Sequence, residues 1–150
     1  MMNTLNGLKK FVALIFATAM AAALLTGCGH STYFERGVYA CYPRGAEDSE
    51  KTGFFVIEDE NYGHTENGAY GGIGMAFNMA QNDGVVCFSY GEGVEDKSVL
   101  TIEYLGDNTI VGVYEDGTER VFEKIDGLDP ETFDSVAYVG TQARADMKYI

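Results

Sequence analysis

The apolar positions follow two different patterns along the chain. Phe11 to Leu25 (FVALIFATAMAAALL) is an uninterrupted apolar run of 15 residues. A helix needs about 20 such residues to cross the hydrocarbon of a bilayer, so the run is short for a span. Lys9 and Lys10 are the only charges before it, and the small residues Thr26 and Gly27 come after it. A basic head, a short apolar core and a small-residue exit predict a secretory signal over 1–27, outside the fold. Beyond Gly29–Thr32 a period of two takes over. Together with density in strand-forming residues, it predicts strands at Tyr39–Tyr42, Phe54–Ile57, Met75–Ala80, Val85–Tyr90, Ser98–Leu105, Thr109–Tyr114 and Thr118–Ile125, with an eighth around Gly63–Glu66. Met75, Phe77 and Met79 share one face of their strand, and Leu100, Ile102 and Tyr104 share one face of theirs. Turn signals separate the runs at Asn67-Gly68, Gln81–Gly84, Gly106–Asn108 and Glu115–Gly117. Asp116-Gly117 is the sharpest of these, because a two-residue hairpin turn needs positive φ at both positions.

Strands this close together, with glycine-rich turns and no segment long enough for a βαβ crossover, predict an all-β fold. The expected architecture is a small antiparallel meander β-barrel of about eight strands over 37–126. In the 127–150 extension, Asp129 is a good helix cap and Pro130 a good first helical residue. A short helix is therefore expected over Pro130–Ser135, then a further strand over Val136–Val139, with Thr141–Ile150 unassigned.

The signal ends in Leu25-Thr26-Gly27-Cys28, which resembles the lipobox of bacterial lipoproteins. The resemblance implies that the Cys28 thiol is alkylated by a diacylglyceryl group and that the leader is cut off just before it. Residues 28–36 would then form the lipidated cysteine and tether, with the domain anchored to the cell membrane and facing away from the cytoplasm. Two acyl chains anchor stably, since each buried CH₂ contributes about 0.8 kcal/mol. Gly29 stands where inner-membrane retention in Gram-negative cells uses Asp, so in such a cell the resemblance implies the outer membrane.

Charge narrows the partners. All 23 acidic residues follow Cys28 while Lys9 and Lys10 precede it, so removing the leader takes the net charge from −13 to −15. Such a field opposes nucleic acid and anionic headgroups and attracts a basic protein or a divalent cation. The same acidity also serves simple solubility. After Cys28 two cysteines remain, Cys41 and Cys87, both in apolar runs. In an oxidising compartment they form a possible disulfide; two reduced, packed thiols fit the pattern equally.

Gly37-Val38-Tyr39 opening the first strand and the hairpin Ile110–Thr118 resemble the small calycin-like, or lipocalin-like, lipoprotein domains. The resemblance implies an aromatic plug at one barrel end, here Tyr39 or Tyr42. The Gly-x-Trp opening of lipocalins is absent, because the chain has no Trp. An apolar small molecule in the barrel mouth, or a protein bound outside, are the ligand classes such domains imply. Lysozyme-inhibitor lipoproteins are also small exported barrels, so inhibition of a basic cell-wall hydrolase is the alternative.

Motifs for chemistry are sparse. There is no G-x-S-x-G elbow, HExxH or CxxC, so neither a nucleophile nor zinc is indicated, and no catalytic residue is assigned. His30 lies two residues from Cys28, the expected lipidation site, and His64 stands in a polar stretch. The carboxylates Glu58, Asp59 and Glu60, and Glu92, Glu95 and Asp96, read as solvated turns. Calcium is a minor option without an EF-hand-type loop. Asn67–Gly74, with four glycines, lacks the following helix and Lys of a phosphate loop and reads as a loop or a sharply bent strand start. Tyrosines at strand ends suit recognition. The candidate binding surface is therefore Tyr62, His64, Tyr70, Tyr90, Glu92, Glu95 and Asp96, on a domain expected to bind rather than catalyse.

Overall fold

The computed structural model describes residues 33–91 and 96–146. The signal segment, the lipobox residues Leu25, Thr26 and Gly27, and Cys28 lie outside them, as do Glu92 and Glu95. Eight strands form one closed antiparallel barrel in sequence order: β1 (Gly37–Pro43), β2 (Gly53–Ile57), β3 (Tyr62–Asn67), β4 (Gly72–Asn82), β5 (Val85–Tyr90), β6 (Lys97–Leu105), β7 (Thr109–Tyr114) and β8 (Glu119–Lys124). Closure is made by β1 against β8, with Cys41 opposite Phe122. The one α-helix among the described residues, α1 (Ser135–Asp146), packs on the outside. It is not long and apolar enough to cross a membrane.

The barrel interior is filled by aromatic side chains. Phe55, Phe77, Phe88 and Phe122 meet one another mostly edge to face, at ring-centroid separations of 5.1–5.5 Å. Leu100, Ile57, Val86, Met79 and Ile110 complete the cluster. Gly112 lets Leu100 lie across the wall, since a Cβ there would come within 2.6 Å of the Leu100 side chain. The plug is Phe34, fully buried and in edge contact with Tyr39, Phe88 and Phe122 at 5.3, 6.0 and 5.0 Å. Of the two tyrosines expected in that role, Tyr39 lies inside next to the plug, while Tyr42 packs on the outer face. Gln81 holds the plug in place: its Oε1 accepts from the backbone N–H groups of Tyr33 and Phe34, and its Nε2 donates to the Phe34 carbonyl. Residues 33–36, expected to lie outside the barrel, thus belong to it.

β1 and β2 are apolar on both faces because both faces are covered. Val38, Ala40, Phe54 and Val56 point outward beneath Phe133, Tyr138 and Val139. The unbroken run Phe54–Ile57 is the sequence mark of that double burial.

The helix begins where the sequence reading ends it. Asp129 organises a turn instead, accepting from the Glu131 N–H and pairing with Arg36. Asp134 is the cap, its Oδ1 accepting from the Ala137 N–H. Val136–Val139, expected as a strand, is the first part of α1. The turn over 130–132 delivers Phe133 onto Phe54 and Tyr138, which a helix starting at Pro130 would carry elsewhere.

Two bulges also break expected faces. The β3–β4 register slips between His64 and Glu66, which leaves Met75 exposed although Phe77 and Met79 are buried. The β6–β7 register slips between Ile102 and Tyr104, so Tyr104 is exposed rather than aligned with Leu100. Each bulge adds one residue to a strand and resets its alternation. The two-residue turn with positive φ at both positions is Asp83-Gly84 (φ 48° and 80°). At Asp116-Gly117 only the glycine is positive (φ 83°), with its N–H bonded to the Tyr114 carbonyl. That is a type I turn followed by a glycine bulge.

Removing the plug leaves a cavity among rings that cannot collapse into it. Phe34→Ala is expected to lower the unfolding free energy by about 3–5 kcal/mol in urea titrations. A loss below about 1 kcal/mol would mean that Phe34 is not part of the packed core.

Candidate functional site

Polar chemistry gathers on the outer wall of β3, where α1 starts. His64 and Glu66 share the outward face, opposite Val56 and Phe54 of β2. His64 Nδ1 lies 2.8 Å from Glu58 Oε1, and its Nε2 lies 3.1 Å from Glu66 Oε1. The other Glu66 oxygen accepts from the Ser135 N–H at 2.9 Å. A line of contacts therefore runs from the half-buried Glu58, through the imidazole, to a buried carboxylate and the first turn of α1. Glu66 is 4% exposed, His64 15% and Glu58 39%, so the inner end is dry and the outer end wet. Glu66 thereby satisfies one of the backbone N–H groups that the first turn of a helix leaves without an intrahelical partner. The two carboxylates bind opposite sides of the ring and do not converge on a point. Among the described residues no three His, Cys, Asp or Glu side chains are placed to hold a metal ion. Ser135 Oγ is buried without a hydrogen-bond partner among the described residues.

Gly68 makes this junction possible. A Cβ there would collide with Val139 Cγ2 and come within 2.5 Å of the Ser135 carbonyl oxygen, so only glycine lets α1 lie this close to the β3–β4 turn. The glycine-rich stretch is thus a bent start to β4, with Gly71 and Gly72 at φ 110° and 100°. Next to it is an open hollow of about 470 Å³ lined by Glu66, Gly71, Gly72, Ile73, Phe133, Asp134 and Val136. Ile73 is 79% exposed, Val136 47%, and Tyr70 at the hairpin tip 89%. A larger groove of about 830 Å³ runs between α1 and the strands beneath it, lined by Lys51, Phe54, Glu123, Lys124, Tyr138 and Gln142 among others.

The residues of the expected binding surface are dispersed. Tyr62 and Tyr70 sit at opposite ends of the β3–β4 hairpin. Tyr90 packs on Phe77 inside the wall, and its backbone N–H bonds to the Asp96 carbonyl at the opposite rim from Tyr62. His64 alone joins the buried polar line. Glu66 was missed because an isolated Glu in a polar strand carries no signal of burial; its partner is a backbone N–H 69 residues away.

Cys41 and Cys87 are free thiols. Cys41 packs with the interior cluster, whereas Cys87 alternates with the buried Val86 and Phe88 and so lies on the outer face. The two reduced thiols, not the disulfide, are what this geometry carries. Burial pushes the Cys41 thiol up to about 12 from an ordinary value of 9.0, and Tyr39 up to about 12 from 10.0. Tyr114 is raised further by the same cause.

Comparison of the chain with models of known protein families, with curated proteins and with solved structures finds no match.

Two outcomes follow from this geometry. Glu66→Ala leaves His64 and the Ser135 N–H without their buried partner and should cost about 1–3 kcal/mol of stability, whereas Glu58→Ala at the wet end should cost under about 1 kcal/mol. Equal effects in thermal or urea unfolding would show that the line is not graded by burial. The second outcome concerns alkali. Above pH 9 the unfolded chain ionises Cys41 and then Tyr39, while the folded chain holds both neutral to about 12. The unfolded state then binds fewer protons, so stability must fall as pH rises through that window. Under reducing conditions the urea midpoint should drop between pH 8.5 and 11, less steeply in Cys41→Ala; parallel slopes would contradict the burial of that thiol.

Proposed function

We propose that this chain is a bacterial lipoprotein whose barrel serves as a non-enzymatic binding domain outside the cytoplasm. Residues 1–27 direct export, and a diacylglyceryl anchor on Cys28 holds the domain at the membrane. Recognition takes place on the outer wall, at the hollow between the β3–β4 hairpin and the start of α1. The observation that carries this reading is where apolar surface is and is not available. Five phenylalanine rings occupy the interior, where a lipocalin-like domain would hold a small apolar ligand. Ile73 and Val136 stand exposed in the lining of the outer hollow, and Tyr70 stands exposed at the tip of the neighbouring hairpin. Exposed apolar groups clustered at a concave site mark interaction surfaces more often than scattered ones do. Asp134 lines the same hollow and the domain carries a net charge near −15, so a basic protein is the partner class that complements it. Inhibition of a basic cell-wall hydrolase is one form such an interaction takes, and the acidity favours it as the second reading.

Two measurements test the reading. Intact mass of the protein isolated from membranes should show the chain starting at Cys28 with acyl groups attached, and Cys28→Ala should leave it unacylated. In binding assays against lysozyme-type hydrolases, Ile73→Asp should weaken association at least about tenfold, and ~0.5 M salt should weaken it through screening. Stoichiometric uptake of an apolar fluorophore, with hydrolase binding untouched by Ile73→Asp, would instead favour a ligand-carrying barrel.

A further inference from the structure

Every strand end that meets residues 33–36 belongs to one rim of the barrel. That rim is formed by the starts of β1, β3, β5 and β7, the ends of β2, β4, β6 and β8, and the turns Glu58–Asn61, Asp83-Gly84 and Gly106–Asn108. Tyr33 is built into it: its backbone N–H bonds to Gln81, its hydroxyl oxygen accepts from the Gly84 N–H, and with Leu105 it lines a hollow of about 280 Å³. The same rim carries a second set of exposed apolar side chains. Tyr104 is 58% exposed, Leu105 54% and Val85 36%. Val85 pairs with Thr101 across the β5–β6 ladder, and Tyr104 follows three residues on toward the rim. The β6 bulge is what turns Tyr104 outward.

We infer that Val85, Tyr104 and Leu105 form the face by which the barrel rests on the lipid bilayer. The inference rests on the anchoring reading above. Five residue steps separate Cys28 from Tyr33, and an extended chain covers at most about 3.6 Å per step, so the acyl chains enter the membrane within ~18 Å of this rim. A rim held that close places its apolar side chains at headgroup depth. There a tyrosine ring suits the mixed polar and apolar interface, and a leucine gains by leaving water. The exposed carboxylates Asp83, Glu103 and Asp107 flank the patch, and Asp59 and Glu60 stand on the same rim, so the surface it fits is zwitterionic and anionic lipid opposes it. The hollow at β3–β4 and α1 lies toward the other rim, where β3 ends and β4 begins, and so is presented away from the membrane.

Because the chain has no Trp, a single introduced indole is an unambiguous reporter. Full-length lipoproteins carrying Leu105→Trp or Tyr70→Trp, with acylation verified by mass, would be reconstituted into phosphatidylcholine vesicles containing chain-brominated lipid. Emission from Leu105→Trp should fall at least about twofold relative to unbrominated vesicles, since the quencher acts only on groups buried several ångströms into the interface. Tyr70→Trp should be unaffected, and replacing about a third of the lipid with phosphatidylglycerol should relieve the quenching at Leu105→Trp. Absence of quenching at Leu105→Trp in an acylated protein with a native unfolding midpoint would overturn the docking face while leaving the anchor standing. Absence of acyl mass would overturn the anchor itself, and the docking face with it.

Discussion

Aromatic packing inside the barrel is the constraint from which the rest of this structure follows. Eight short strands enclose a space that small side chains would leave hollow, and here phenylalanines from β2, β4, β5 and β8 fill it edge to face. The fifth ring, Phe34, comes from before the first strand and closes one end. Filling the barrel with the chain's own rings leaves the exposed apolar side chains on the outside of the barrel. Closing it from the N-terminal side fixes the rim at which the preceding chain arrives.

The second consequence concerns the helix. With β1 and β2 apolar inside and out, the outward residues Val38, Phe54 and Val56 require a cover, and α1 with the preceding Phe133 provides it. The position of that cover is set by two small features. Gly68 removes the side chain that would hold the helix off, and Glu66 receives the N–H of its first residue. Through Glu66 the helix start is joined to His64 and on to Glu58 at the surface. Local chemistry at the β3 surface is thereby tied to the element that borders the open hollow.

The barrel was legible in the sequence because its signals are local. Alternation, turn residues and strand spacing follow from neighbours a few positions apart, and β5 and β7 have the boundaries read from them. Features set by distant partners were not legible. The bulges that expose Met75 and Tyr104 depend on register against another strand. The helix start was misplaced because Asp129 and Asp134 are equally good caps, and only the docking of Phe133 on Phe54 distinguishes them. Phe34 stands in a polar stretch with nothing local to mark it as core. His64 stands out in the sequence but its buried partner Glu66 does not, for the same reason.

The most direct test of the filled barrel is through-space magnetisation transfer between aromatic protons in solution. Ring protons of Phe34 should show cross-peaks to those of Phe88, Phe122 and Tyr39, with none to water. Missing ring–ring contacts, with water cross-peaks at Phe88 and Phe122, would describe a hydrated, open barrel and return the interior to consideration as the binding site.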